Sequence, residues 1–387
     1  MKSKLKDVCT KITSGGTPKS TNLAYYGGNI PWLRTQEVNF TDIEHTEIYI
    51  TQEGYDNSSA KWLPANTVIV AMYGATAGKC AISKIPLTTN QACCNLVVDD
   101  SKADYRYIYY QLKLNYDKLL SLANGGAQQN LNAQIISDYA IDLLPLSEQH
   151  AIADTLSVLD DKIANNTAIN HHLEQMAQAI FKSWFVNFEP WGGVMPEDWH
   201  IVEFSSFLTP RIEKSNDPTI SLFSVTDTGI YPRGEKFNKN LSKDDTKNKI
   251  TRETDIVFGM SREILNWGIM CSPIGCVSSA YNVFAVDSSI NSKYLESFIK
   301  VHVFYFKDLI RPATREGQGV DKGALMLKSI YLPPDSILAE YYAIENALTA
   351  RICENDEESA CLATLRDSLL PRLMSGELSV SDIGGEK

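Results

Sequence analysis

This chain is short of the signatures that mark most enzymes and helical membrane proteins. No apolar run among its 387 residues approaches the length of a membrane span, and residues 1–10 lack the pattern of a signal peptide, so a cytoplasmic location is expected. The eight cysteines (Cys9, Cys80, Cys93, Cys94, Cys271, Cys276, Cys353 and Cys361) include no C-x-x-C pair and read as reduced thiols. The six histidines include no H-E-x-x-H, which leaves no dedicated metal site to expect. N-P-P-[YF] and D-P-P-[YF], the methyltransferase motifs, are missing, and no cluster of Asp, Glu and Lys resembles a nuclease centre.

One stretch comes close to a phosphate loop. 72-MYGATAGKCAI-82 follows an apolar run as a strand leads into a glycine turn. A Walker loop needs G-x-x-x-x-G-K-[ST], because its amides wrap a phosphate and its hydroxyl holds Mg²⁺. Here Gly74 to Gly78 is one residue too short, and Cys80 stands where a hydroxyl is needed. A thiol is a poor partner for Mg²⁺, which prefers oxygen.

What is present in excess is acid, with a net charge of −11, but it is unevenly placed. Residues 1–145 carry 13 basic against 13 acidic side chains, and residues 191–334 carry 17 against 17. The surplus sits in residues 146–190, at −4, and residues 335–387, at −7. Whole-chain charge describes solubility and long-range field, not any one face, so a nucleic-acid partner stays open.

The chain is also written twice. VIVAM at 68–72 is echoed by IVFGM at 256–260, 188 positions on. RYIYYQL at 106–112 pairs with KYLESFI at 293–299, IDLLPLSEQ at 141–149 with IYLPPDSIL at 330–338, and AIADTL at 151–156 with AIENAL at 343–348. Four landmarks in one order, at offsets of 187 to 192, indicate a tandem duplication of a domain-sized unit. Each copy runs from short β-like segments and turns, through a Leu-Pro boundary, into an uninterrupted helical pattern.

The helices have a seam. In the first, Ile152, Leu156, Leu159, Ile163, Asn166, Asn170, Leu173, Ala177, Ile180 and Trp184 follow heptad spacing, with no proline or glycine in 148–187. The second gives Ile344, Leu348, Arg351, Asn355, Glu358, Leu362, Leu365 and Leu369. Both are apolar at the ends and polar in the middle, and polar seam positions fix register. Two matched series predict that the helices pair with each other. A rod of about 36 residues is roughly 54 Å long. Paired antiparallel, two such rods would hold two similar domains apart about a pseudo-two-fold axis. That arrangement suits a duplex with half-sites about 34 Å apart.

These segments also resemble a known family. TSGGTPKST at 13–21, IPWLRTQEV at 30–38, YGATAGK at 73–79 and NQACCNL at 90–96 are similar to the target-recognition domain of type I restriction–modification specificity subunits. EQHAIADTLSVLDDKIANN at 148–166 and AQAIFKSWFVNF at 177–188 resemble that family's central repeat, and LRDSLLPRLMSGEL at 365–378 its distal repeat. PEDWHI at 196–201 resembles the entry to a second recognition domain, which departs most from the pattern by carrying SREILNWG in place of the G-A-T-x-G-K turn.

The resemblance implies an α+β chain. It has a recognition domain at 1–145, a central helical spacer at 146–187, a second recognition domain at 188–334, a distal spacer at 335–381 and a tail at 382–387. It implies a non-catalytic subunit that reads double-stranded DNA in the major groove for two modification (methyltransferase) subunits and for restriction subunits. S-adenosylmethionine, ATP and Mg²⁺ would be used by those partners, with no cofactor on this chain. The side chains suited to base or phosphate contact are Lys19, Arg34, Gln36, Tyr73, Lys79 and Gln91 in the first domain. In the second they are Arg233, Lys236, Lys239, Lys243, Arg262, Asn266, Arg315 and Gln318. Tyr25, Tyr26, Trp32 and Tyr73 are suited to touching DNA, but core packing is expected for most of them, and Cys93 and Cys94 are expected buried in or beside a strand. The rival readings are a coiled-coil scaffold that binds only proteins, a P-loop-like NTPase on residues 68–80, and a divergent methyltransferase.

Overall fold

The computed structural model describes residues 2–123, 130–215, 217, 219–233, 247–261, 264–310 and 320–383. The chain forms two compact units, Met1–Ala168 with Asn355–Lys387, and Ile169–Glu354.

In the first unit the strands are β1 (Lys2–Lys4), β2 (Cys9–Ser14), β3 (Tyr26–Leu33), β4 (Asp42–Ile43), β5 (Tyr49–Ile50), β6 (Val68–Ala71), β7 (Cys80–Ser83), β8 (Thr88–Thr89), β9 (Cys93–Val98) and β10 (Ala140–Asp142). A five-stranded sheet has the order β2-β9-β6-β7-β4, a three-stranded one the order β5-β3-β8, and β1 pairs antiparallel with β10. The sheet explains why VIVAM shows no polar alternation. Val68, Val70 and Met72 enter one apolar cluster while Ile69 and Ala71 enter another, so both faces of β6 are covered. Cys93 and Cys94 divide between the same two clusters. Over this sheet lies α1 (Tyr105–Leu114), whose N-cap Asp104 accepts a 2.7 Å hydrogen bond from the Arg106 amide. The unit also holds the first part of α2 (Leu146–Phe185).

The second unit repeats the plan. Its strands are β11 (His200–Glu203), β12 (Leu208–Pro210), β13 (Leu222–Thr226), β14 (Gly229–Pro232), β15 (Lys249–Arg252), β16 (Ile256–Phe258), β17 (Trp267–Ile269), β18 (Ile274–Val277), β19 (Asn282–Val286) and β20 (Ser329–Leu332). The order β12-β19-β16-β17 matches β2-β9-β6-β7, and β11 pairs with β20 as β1 does with β10. Helix α3 (Ser292–Val301) takes the place of α1, capped by Asn291, and α4 (Asp335–Ser375) that of α2. The start positions of β16, β17 and β19 lie 187 to 189 residues beyond those of β6, β7 and β9, as the sequence offsets do. The remaining strands form a sheet of order β14-β13-β18-β15.

The long helices pack antiparallel within each unit. In the first, Asp160 meets Arg366, and Lys162 and Asn166 meet Glu358. In the second, Asn170 meets Ile352, and Phe181 meets Tyr341. Asn166 and Asn355 are fully buried at repeat-equivalent positions, and the Asn166 amide donates to the Asn355 carbonyl at 3.4 Å and to Glu358 Oε2 at 2.8 Å.

Ile152 and Leu156 are buried, Leu159, Ile163, Leu173, Ile180, Leu348, Leu362 and Leu369 half-buried. Two apolar positions depart from the expected seam, and so does Arg351, which is exposed and pairs with Glu354 on its own helix. Ile344 is 37 % and Leu365 45 % exposed. Their neighbours Glu345 and Arg366 turn inward instead, Glu345 to Lys293 and Arg366 to Asp160. An apolar count chooses Leu365 over Arg366; the helix chooses the residue with an ion-pair partner.

Each long helix ends in a core. Leu370, Leu373 and Met374 of α4 join the same cluster as Ile152 and Leu156 of α2, with Leu5, Val68 and Tyr107. In the second unit Phe181 and Phe185 of α2 join Trp199, Tyr294 and Tyr341. Phe181 and Phe185 stand 189 positions before Leu370 and Met374, so the two insertions are the same feature made twice.

Candidate nucleic-acid interface

All but Lys19 of the side chains singled out in the first repeat lie on turns where β3 of one sheet abuts β6, β7 and β9 of the other. Arg34 and Gln36 follow β3, Tyr73 and Lys79 lie on the loop between β6 and β7, and Gln91 precedes β9. Backbone bonds lace these turns together, Asn90 N to Leu33 O at 2.9 Å and Met72 N to Ala92 O at 2.8 Å. Side chains tie the first two loops. Thr76 Oγ1 donates to Thr35 O at 2.6 Å, and Lys79 Nζ to Asn39 Oδ1 at 2.6 Å.

Gln36 and Gln91 are exposed, as is Tyr73 at 37 %. Arg34 is half-buried, with its guanidinium on Glu47 Oε2 at 2.5 Å. The Glu37 carboxylate accepts from the amides of Arg34 at 3.0 Å and Glu47 at 2.8 Å, which fixes the turn after β3. Lys79 also lies over the Phe40 ring, 5.9 Å from its centre, and that ring is braced edge-on by Tyr116. Lys19 is exposed on the adjoining loop of residues 15–25, not tied to this group by a side-chain bond.

The loop of residues 72–79 is a hairpin turn. β7 returns antiparallel to β6, and the amides of Ala77, Gly78 and Lys79 bond Gly74, Ala71 and Thr76 carbonyls. Gly74 and Gly78 have φ of +92° and +81°, the left-handed region that glycine adopts without strain. A phosphate loop leads into a helix whose N-terminus faces the anion. Here a strand follows, and burial of Cys80 inside it pushes the thiol far above its usual range. The NTPase reading is therefore set aside. Burial raises Cys94 likewise, to about 12. Tyr26 and Trp32 are structural, donating to the Pro18 carbonyl at 2.8 Å and the Gly16 carbonyl at 2.9 Å.

The equivalent place in the second unit is residues 259–266, between β16 and β17. Asn266 closes that turn, donating from Nδ2 to Met260 O at 2.6 Å and from its amide to Ser261 Oγ at 2.8 Å. Arg233 is half-buried just after β14. Lys236, Lys239, Lys243, Arg262, Arg315 and Gln318 lie outside the described residues. Sequence reasoning passed over Glu37, Asn39, Glu47 and Thr76, whose partners lie up to 41 positions away. Only Glu37, three positions from the Arg34 amide it accepts from, has a local signature, and the others have none.

Among the described residues no helix is long and apolar enough to cross a membrane, and no group of three or more His, Cys, Asp or Glu is placed to hold a metal.

Comparison with known proteins gives a consistent likeness. Residues 1–175 match the family model of the type I restriction modification DNA specificity domain. The chain is 26% identical to the type I restriction enzyme MjaIX specificity subunit of Methanocaldococcus jannaschii, across 98% of this chain and 94% of that one. It is 27% identical to the EcoR124I/EcoR124II specificity subunit of Escherichia coli over 39% of this chain and 38% of that one. Its fold is similar to the crystal structure of a type I restriction-modification S subunit from M. genitalium, with a TM-score of 0.59 at 14% identity, covering 96% and 95% of the two chains.

Proposed function

The chain belongs to the family of type I restriction–modification specificity subunits, and from that membership we propose that each of its two domains reads one half of a bipartite, asymmetric DNA site. As a specificity subunit it is itself non-catalytic. Residues 1–145 and 188–334 are the recognition domains in this reading, 146–187 and 335–381 the spacers, and 382–387 a tail. The spacers set the distance between half-sites and dock two methyltransferase subunits, with restriction subunits joining for cleavage. S-adenosylmethionine, ATP and Mg²⁺ are used by those partners, in the cytoplasm.

One observation carries the reading. The same strand framework presents a loop at the same place in each repeat, YGATAGK in one and SREILNWG in the other. A duplicated scaffold with different loop chemistry is what two different half-sites require, since bases are distinguished by the donors and acceptors facing the groove. In the first domain Arg34, Gln36, Tyr73, Lys79 and Gln91 form the reading edge, with Lys19 beside it. In the second, Arg233, Arg262, Asn266, Arg315 and Gln318 and the basic stretch with Lys236, Lys239 and Lys243 serve the same end, the lysines through phosphates.

The test is base-modification sequencing of the host genome with the gene intact and deleted. Loss of one bipartite adenine-methylated motif is expected. If the methyltransferase partner is expressed and no motif changes on deletion, the reading fails.

A further inference from the structure

The reading edge contains a side chain that none of the motifs marks. Asn39 sits between two fixed neighbours, Val38, fully buried in the core, and Phe40, whose amide donates to the Cys80 carbonyl at 2.8 Å. Phe40 holds a left-handed φ of 55°, unusual for a side chain of its size, which aims the turn. The Asn39 side chain is nonetheless exposed, and its Oδ1 takes the Lys79 ammonium at 2.6 Å.

That bond settles the amide's orientation, because an ammonium has only hydrogens to give. The oxygen must face Lys79, so the Nδ2 hydrogens face away, with no partner among the described residues. One lone pair on Oδ1 also stays open. Asn39 therefore presents one donor and one acceptor side by side, in a fixed order and held by a rigid turn. Adenine alone offers the complement in the major groove, an N7 acceptor beside an N6 donor, whereas guanine offers two acceptors. Arg34 is less available, since Glu47 holds its guanidinium.

We propose that Asn39 is a base-reading residue of the first domain, directed at an adenine, and that Lys79 is the positioning residue that fixes its amide. This rests on the DNA-recognition reading above.

The test uses the full chain assembled with its modification subunits, and duplexes carrying each single base-pair substitution in the half-site read by the first domain. Binding of Asn39→Ala, Asn39→Asp and Lys79→Met is compared with that of the unaltered chain. Asn39→Ala should lose roughly 10- to 100-fold discrimination at one A·T pair and keep its preferences elsewhere. Asn39→Asp should shift that position toward cytosine, whose N4 group donates to a carboxylate. Lys79→Met should relax the same position in part. Retained discrimination in Asn39→Ala, or an equal loss on every duplex, overturns the proposal while leaving DNA recognition standing. Absence of any preference in the unaltered complex overturns recognition itself, and this inference with it.

Discussion

Asp104 shows how much a single carboxylate does where α1 meets α2. It caps α1, takes Arg106 Nη2 at 2.7 Å and lies 2.9 Å from His150 Nδ1, with its side chain 3 % exposed. Burial pushes its pKa up, but the hydrogen bonds and charge of Arg106 outweigh that and hold it below the usual carboxylate range. A lowered folded-state value means a contribution fully present above the ordinary Asp value of about 3.9 and lost as pH falls through the lowered one. Asp104→Asn should therefore destabilise the fold at pH 7 by roughly 1–3 kcal/mol, seen as a lower urea midpoint, and flatten the decline of that midpoint below about pH 4. Urea titrations from neutral to acid pH check both. At this scale little was legible in the sequence. Lys79 stood out as a loop cation, but its partner Asn39 lies 40 positions away, and nothing local joins them.

At the scale of elements much more could be read. The heptads of α2 and α4 and the absence of proline and glycine in 148–187 point to helices of the observed kind, 40 and 41 residues long. VIVAM read as a strand because its residues are apolar without a break, and both faces of β6 are covered. What failed was the phase of the second seam, since Arg366 is half-buried against Asp160 and Tyr110 also donates to that carboxylate. Hydrophobic patterns do not register a charge that brings its own partner. The Asn166–Asn355 layer is another polar element of the pairing. Asn166 Oδ1 is buried with no hydrogen-bond partner among the described residues, a cost that a leucine would not carry. Asn166→Leu with Asn355→Leu should raise the urea midpoint, yet speed hydrogen exchange in α2 and α4 as the pairing loses its single register. A lower midpoint would show that the layer serves stability instead.

For the whole molecule, the duplication makes function separable. Exchanging residues 191–334 for the matching domain of another family member should change one half of the recognised motif and leave the other, as read by base-modification sequencing. Change in both halves would contradict independent reading. Stability, in contrast, is not divided where the sequence repeat is. Leu373→Ala, near the end of the chain, should cost about 2–5 kcal/mol, because it opens a cavity in the cluster around Leu5 and Tyr107. Proteolysis in native buffer should then begin in the first unit, not the second.

The insertion of Leu370, Leu373 and Met374 beside Leu5 also sets a timetable. Synthesis at roughly 5–20 residues per second finishes the opening domain's strands long before these side chains leave the ribosome. Some 200 residues separate Ala168 from Leu370, a delay of roughly 10–40 s at that rate. For that interval the first-made domain waits with its core open, and the last turns of α4 close it. A frameshift late in the gene would thus strike the product at its beginning.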